Sequence, residues 1–366
     1  MESGVVRVLV VDDNAGDARL VEWSLAHEPD GSYHCERAGR IAEALDVLSR
    51  GPVDAVLLDL GLPDSTGSDG LRRIRERAPD AAVVVLTGSD DPLRVRDAVA
   101  AGAQDYQVKG VFPRGHLTRI LKSAIRRQRL EGAIGRGDPV DVDGLNRGGD
   151  GEALALLEDG RPPVLNDAWV RLTGISRERE GDHRAWLERL TAGAPVGDAV
   201  LDRPGAPALA VEYVVRPFGG GPSARRLVRI RDRFRSTTAG SGGTALGTAP
   251  GGVIDATAWA QLQELGGGDA AFVPALIDAF LEEAKSLVAE LESGVAAGDR
   301  SAVERAAHRF KSGCAQVGAL ELAGRLGAIE RAARTPEGPT LAEPVAAVVG
   351  SYPAVVAELE RRRAGP

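Results

Sequence analysis

The sequence predicts several domains: a doubly wound α/β domain built on a five-stranded parallel sheet, a smaller α+β segment, and an all-α four-helix bundle. Three observations carry this. Residues 1–131 alternate an apolar strand with an amphipathic helix five times over. Two stretches, 132–151 rich in Gly and Asp and 236–252 rich in Gly, Ser and Thr, break the patterning. From 253 to 366 the apolar residues recur at helical spacing throughout.

The N-terminal elements follow in order. Val5–Val11 is an apolar run broken only by Arg7, the pattern of a parallel strand buried on both faces, and it ends in Asp12-Asp13. A helix follows through Ala18, Leu20, Val21 and Leu25, then a weaker strand at 33–38 and a helix through Ile41, Ala44, Leu45 and Leu48. Val53–Leu58 is a second strong strand and ends in Asp59; Leu71 and Ile74 mark the next helix. A strand at 81–86 ends in Thr87, Val95, Ala98 and Val99 mark a helix, and a strand closing at Val108 ends in Lys109 before a helix over 116–130.

In such sheets, ligands sit beyond the carboxyl ends of the strands. Asp12, Asp13, Asp59, Thr87 and Lys109 all fall there. Three gathered carboxylates repel one another unless a divalent cation joins them, and hard oxygen donors suit Mg²⁺. A hydroxyl and an ammonium beside them would hold the oxygens of a phosphoryl group arriving at one carboxylate.

With the stretches VLVVDDN, VLLDLGLPD, VLTGSDD and GAQDYQVKG, the whole segment resembles the response-regulator receiver domain. The resemblance implies that Asp59 is the phosphoacceptor. It implies that Asp12, Asp13, Asp59 and the carbonyl of Gly61 hold Mg²⁺, and that Thr87 and Lys109 grip the phosphoryl group. Tyr106 is then the aromatic that changes rotamer with Thr87. Where many such domains carry Pro after the lysine, this chain has Gly110.

Residues 152–235 show a short strand, a turn, a strand and a helix, then two strands alternating at period two around a Gly-rich turn. LNDAWVRLTGISRE, with the later RRLVRIRD strand, resembles a PAS sensor domain of shortened, degenerate form. The segment has no Cys, which excludes a cysteinyl-flavin adduct, and its one His, His183, reads as a surface-turn residue. A spacer or a homodimer contact is the expected use. Residues 236–252 read as a flexible tether.

In the last segment Asp255 is placed to cap a short helix through Trp259 and Leu262. A long helix carries the stripe Leu276, Ile277, Phe280, Leu281, Ala284, Leu287, Val288, Leu291, Val295, with Pro274 in its first turn. Gly298-Asp299 ends it, and Asp299 or Ser301 caps the next helix. There Val303, Ala307, Phe310 and Cys314 form the buried stripe, and His308 points roughly 140° away from it at about 100° per residue. Lys311 lies one turn on. An imidazole facing water can take a phosphoryl group near neutral pH, and a neighbouring ammonium can meet its oxygens. Helices through Leu320–Ile329 and Leu341–Arg363 complete the bundle.

The spacing H-x-x-K-S-G-x-x-x-x-G-A from His308 to Ala319 resembles the histidine-containing phosphotransfer (HPt) domain. The resemblance implies that His308 is a second phosphoacceptor, that Lys311 and Gln316 support the phosphoryl group or a docked receiver, and that Gly313, Ala315 and Gly318 leave that receiver room.

A formal net charge of −8 argues against a constitutive nucleic-acid binder. The two cysteines, Cys35 and Cys314, fall in different segments, no apolar run approaches the ~20 residues of a membrane span, and the N-terminus lacks a signal-peptide pattern. A soluble, cytoplasmic protein of a bacterial type is expected. No Gly-rich nucleotide loop stands out, so the chain is expected to be no kinase. The expected function is that of a phosphorelay intermediate in a two-component system, served by a sensor histidine kinase and by other receiver domains or response regulators. The alternatives are a phosphorylation-switched scaffold, or a phosphate sink draining through aspartyl-phosphate hydrolysis.

Overall fold

The computed structural model describes all residues except 1–4, 27–32, 88–91, 110–114, 150–151, 204–205, 219–223, 233–252, 266–271, 336–337 and 364–366. Gly110 and the tether read at 236–252 therefore lie outside the described residues.

The N-terminal domain runs β1 (Val6–Val11), α1 (Ala15–Ala26), β2 (Tyr33–Ala38), α2 (Ile41–Arg50), β3 (Ala55–Asp59), α3 (Asp69–Arg77), β4 (Ala82–Thr87), α4 (Pro92–Ala100), β5 (Asp105–Val108) and α5 (His116–Gly135). All neighbouring strands are parallel, in the order β2-β1-β3-β4-β5. The apolar strands divide their side chains by parity. Leu9, Val11, Val56, Leu58, Val83 and Val85 pack on one face with Ile41, Leu71 and Ile74. Val8, Val10, Ala55, Leu57, Val84 and Leu86 pack on the other with Val21, Leu25, Leu117 and Leu121. This double burial is why the central strands read as unbroken apolar runs. The strand order reverses between β1 and β3, which opens a crevice at their carboxyl ends.

The middle domain contains α6 (Val142–Gly149), β6 (Ala153–Glu158), β7 (Val164–Leu165), α7 (Asp167–Thr173), α8 (Glu180–Thr191), β8 (Val196–Arg203), β9 (Ala206–Phe218) and β10 (Arg225–Asp232). Its antiparallel sheet has the order β7-β6-β10-β9-β8. Trp169, Trp186, Leu187 and Leu190 cover one face.

Two sequence expectations need correction here. Residues 132–151 are largely helix instead of linker: α5 continues to Gly135, and α6 packs Leu145 against Leu130, Ile134, Leu154 and Leu156. The glycines that hid this serve packing, since a Cβ on Gly148 would come within 2.7 Å of Leu130 Cδ2. His183 is fully buried rather than a surface residue. Its Nδ1 accepts from Trp169 Nε1 at 3.3 Å and its Nε2 lies 3.0 Å from the Ser176 carbonyl.

An ionic cluster joins this domain to the first. Asp105 of β5 accepts from Arg127 of α5 at 2.9 Å and from Arg231 of β10 at 2.8 Å. Glu152, just ahead of β6, accepts from Arg127 at 2.5 Å and is also paired with Arg231. Burial works to raise the carboxyl of Glu152, yet Arg231, Arg127 and Arg229 hold it down to about 2.

The C-terminal domain consists of α9 (Ala256–Leu265), α10 (Phe272–Ala297), α11 (Arg300–Gln316), α12 (Leu320–Ala333) and α13 (Ala342–Arg363). The last four form the bundle, each packed on the next and α13 closing against α10. Asp255 accepts from the Ala258 N–H at 2.8 Å, and Asp299 caps α11 by accepting from Ala302 N–H at 2.9 Å. Gly298 between α10 and α11 has φ +67, a left-handed conformation that suits glycine. The bundle leans on the first domain: α1 meets α10 and α11.

Candidate functional site

The crevice at the ends of β1 and β3 gathers the residues expected there. Asp12, Asp13 and Asp59 each offer a carboxylate oxygen within 4.8 Å of one another. From the end of β5, the Lys109 Nζ reaches Asp12 Oδ2 at 2.8 Å, Asp17 Oδ2 at 2.9 Å and Asp59 Oδ2 at 2.6 Å. The backbone N–H of Lys109 donates to the Thr87 carbonyl at 2.8 Å, which ties the tips of β4 and β5 together with Thr87 buried beside them. Gly61 N–H donates to Asp59 Oδ1 at 3.0 Å. The ring of Tyr106 packs, partly buried, against the apolar face that carries Val83 and Val85.

The charges are unequal. Burial would raise Asp59, but the Lys109 ammonium and His308 overcome this and hold its carboxyl below the usual range. Burial, then repulsion from Asp59 and Asp17, pushes Asp12 well above that range despite Lys109. Burial and Asp59 also raise Asp13. Three buried acids around one lysine leave surplus negative charge, and a set of hard oxygen donors is the chemistry that Mg²⁺ takes.

The bundle lies against one side of the crevice. His308 sits on the face of α11 turned away from the bundle core, as expected, but that face meets the N-terminal domain instead of water, and its side chain is only 13% exposed. Nδ1 lies 2.9 Å from Glu330 Oε1 on α12. Nε2 has no hydrogen-bond partner among the described residues. It points at Gly61: the place where a Cβ would stand is 3.1 Å from Nε2 and 3.4 Å from Asp59 Oδ2. The two atoms are therefore no more than about 6.5 Å apart.

Residues around the imidazole hold the two domains in register. Gln316 Nε2 donates to Asp17 Oδ1. Asn14 Nδ2 donates to the Arg309 carbonyl at 3.4 Å, and the Arg309 guanidinium lies 3.6 Å from Asp13 Oδ2 while donating to Glu283 at 3.0 Å. Lys311 donates to Glu330 Oε2 at 2.7 Å and so reaches the site's supporting carboxylate. Gly313 and Gly318 do not face the receiver side, contrary to expectation. A Cβ on Gly313 would meet Phe280, and Gly318, at φ +79, lies against Ile254 and Ala258. Both serve packing within the C-terminal domain.

Sequence reasoning missed Glu330, Arg309, Asp17 and Asn14. Glu330 left a signal, an acid in the apolar stripe Leu326, Ile329, Ala333. Burial works to raise it, but the hydrogen bond from His308, with Lys311, holds it down to about 2.

Residues 8–122 match the family model described as response regulator receiver domain, and residues 275–365 match that of the Hpt domain. The chain carries a receiver domain and an HPt domain. Neither match extends to residues 123–274. The chain is 34% identical over 125 residues to the nitrate/nitrite response regulator protein NarP of Escherichia coli, covering 34% of this chain and 55% of NarP. It is 30% identical over 182 residues to the alginate biosynthesis transcriptional regulatory protein AlgB of Pseudomonas putida, covering 48% of this chain and 39% of AlgB. The chain thus spans about half the length of the curated relatives it matches. Among solved structures, a response regulator from Thermotoga maritima is 30% identical, covering 33% of this chain and 98% of its own, at a TM-score of 0.30. Among the described residues, no helix is long and apolar enough to cross a membrane.

Proposed function

We propose that this protein is a phosphorelay intermediate of a two-component system, in which Asp59 and His308 each hold a phosphoryl group in turn. The observation that carries this reading is the unpartnered Nε2 of His308 set against Asp59 across Gly61. A histidine kinase supplies phosphate to Asp59, and other receivers exchange phosphate with His308, while the bundle is swung away from α1. The setting is the cytoplasm.

Asp12, Asp13, Asp59 and the Gly61 carbonyl are the residues that would hold Mg²⁺. When bound, the ion neutralises charge on the phosphoryl oxygens. Asp59, kept anionic by Lys109, attacks the incoming phosphorus and forms an acyl phosphate as the P–N bond to the kinase's phosphohistidine breaks and its electron pair returns to that imidazole. Lys109 and Thr87 then hold the equatorial oxygens, and Thr87 and Tyr106 shift together to report the event. For transfer, the Nε2 lone pair of a neutral imidazole attacks phosphorus in line. The N–P bond forms, the P–Oδ bond breaks, and its electron pair returns to Asp59 as carboxylate. No proton leaves: Nδ1–H stays bonded to Glu330, whose charge matches the new imidazolium. Water attacking the same phosphorus gives slow aspartyl-phosphate hydrolysis.

The test is labelling with radioactive acetyl phosphate and Mg²⁺, separating alkali-labile acyl phosphate from alkali-stable phosphohistidine. Asp59→Asn is expected to lose both pools, and His308→Gln only the alkali-stable one. Unchanged labelling of Asp59→Asn would refute the assignment.

A further inference from the structure

The receiver and HPt domains are joined by more than the reacting pair. Leu20 on α1 packs with neither face of the receiver sheet; it is buried against Leu262, Phe272 and Leu276 of α9 and α10. Trp23, one turn along, stacks on Phe272 with ring centroids 4.0 Å apart. Packing these side chains together removes apolar surface from water. The apolar patch adjoins the polar contacts of Asp13, Asn14 and Asp17 with Arg309 and Gln316, which border the chemistry itself. Apolar groups that the receiver leaves uncovered thus find their cover in the same chain.

From this we infer that His308 exchanges phosphoryl groups with Asp59 of its own chain, and that the docked HPt domain keeps the histidines of other proteins away from Asp59. The inference rests on the assignment of Asp59 and His308 as phosphoacceptors. Asp59 is 3% exposed, and among the described residues the space over Gly61 beside it is filled by His308. A second imidazole cannot enter until the bundle swings off α1. A cleft of about 800 Å³ beside the site, lined by Asp13, Arg40, Pro63, Glu290 and Arg309, stays open. Within the docked pair the N–P bond on His308 forms as the P–O bond on Asp59 breaks, with no third component.

A resident partner acts at an effective concentration on the order of mM. At about 1 μM protein, exchange within the chain should therefore outrun exchange between chains by roughly a hundredfold or more. The experiment uses full-length chains labelled with radioactive acetyl phosphate. The unmodified chain is compared with an equimolar mixture of Asp59→Asn and His308→Gln chains, in which only exchange between molecules can label His308. The unmodified chain is expected to form phosphohistidine at a rate independent of protein concentration. The mixture should be at least about a hundredfold slower and rise with concentration. Trp23→Ala with Phe272→Ala in both mixed chains, with folding verified by circular dichroism, should speed the mixture by freeing His308 and Asp59. A mixture as fast as the unmodified chain, or an unmodified chain whose rate scales with concentration, would overturn the inference and leave the phosphoacceptors standing. Absence of phosphohistidine in every sample would overturn that underlying assignment as well.

Discussion

Replacing Glu330 by Gln removes one negative charge from behind His308 while preserving the shape of the side chain. In the native arrangement Glu330 accepts from Nδ1 at 2.9 Å and from Lys311 at 2.7 Å. Hydrogen bonds to a charged group contribute about 1.5–3 kcal/mol and neutral ones about 0.5–1.5, so the change removes roughly 1–1.5 kcal/mol where the imidazole becomes cationic. At 1.4 kcal/mol per decade, phosphohistidine formation should slow by about tenfold. Glu330→Ala also frees the ring to turn and should slow it by about a hundredfold. Rapid-quench measurement of alkali-stable phosphate, starting from chains preloaded at Asp59, reads this step apart from the loading step. Loading from acetyl phosphate should be unchanged in both variants. If Glu330→Ala transferred within twofold of the unmodified chain, the carboxylate would have no part in orienting or stabilising the imidazole.

Three further outcomes follow from the geometry. Gly61→Ala would set a methyl 3.1 Å from His308 Nε2 and 3.2 Å from Cδ2, so transfer to His308 should fall several-fold while Asp59 still accepts phosphate from a small donor; the two alkali-resolved pools measure this. Asp13→Asn removes one of three clustered carboxylates and should weaken Mg²⁺ binding at least about tenfold by calorimetric titration, since a hard cation is held by charge as well as by oxygen. Glu152 has its carboxyl depressed from 4.5 to about 2, so its contribution to stability is complete above pH 4.5 and is lost as pH falls toward 2. Thermal melts across that range should show a steeper loss in the unmodified chain than in Glu152→Gln.

The sequence made the receiver legible because its strands are buried on both faces. Apolar runs such as AVLLD and AVVVLT leave only their last residues polar, and those residues line the candidate site. His308 was legible for the complementary reason: it breaks the apolar stripe of its helix on the side away from Phe310 and Cys314. What lay on that side was hidden. Leu20 and Leu276 have the spacing of ordinary core residues, and nothing in periodicity tells a side chain buried by its own domain from one buried by another. Arg309 likewise reads as a surface residue of α11, and Gln316, expected to support a phosphoryl group or a docked receiver, is buried against Asp17. Composition misled at 132–151, where glycines permit the close approach of α6 to α5, and at His183, whose two ring nitrogens are satisfied inside the middle domain.

The ion cluster at Asp105 has a mechanical consequence. Asp105 immediately precedes Tyr106 and lies four residues before Lys109, and its carboxylate is gripped by Arg231 of the neighbouring sheet. Any sliding of that short strand must therefore drag β10 with it or strand a charge in a nearly dry seam, an event that costs about 3–5 kcal/mol. The middle domain is geared to the receiver's last strand, so whatever strains one end of that strand is felt across the antiparallel sheet.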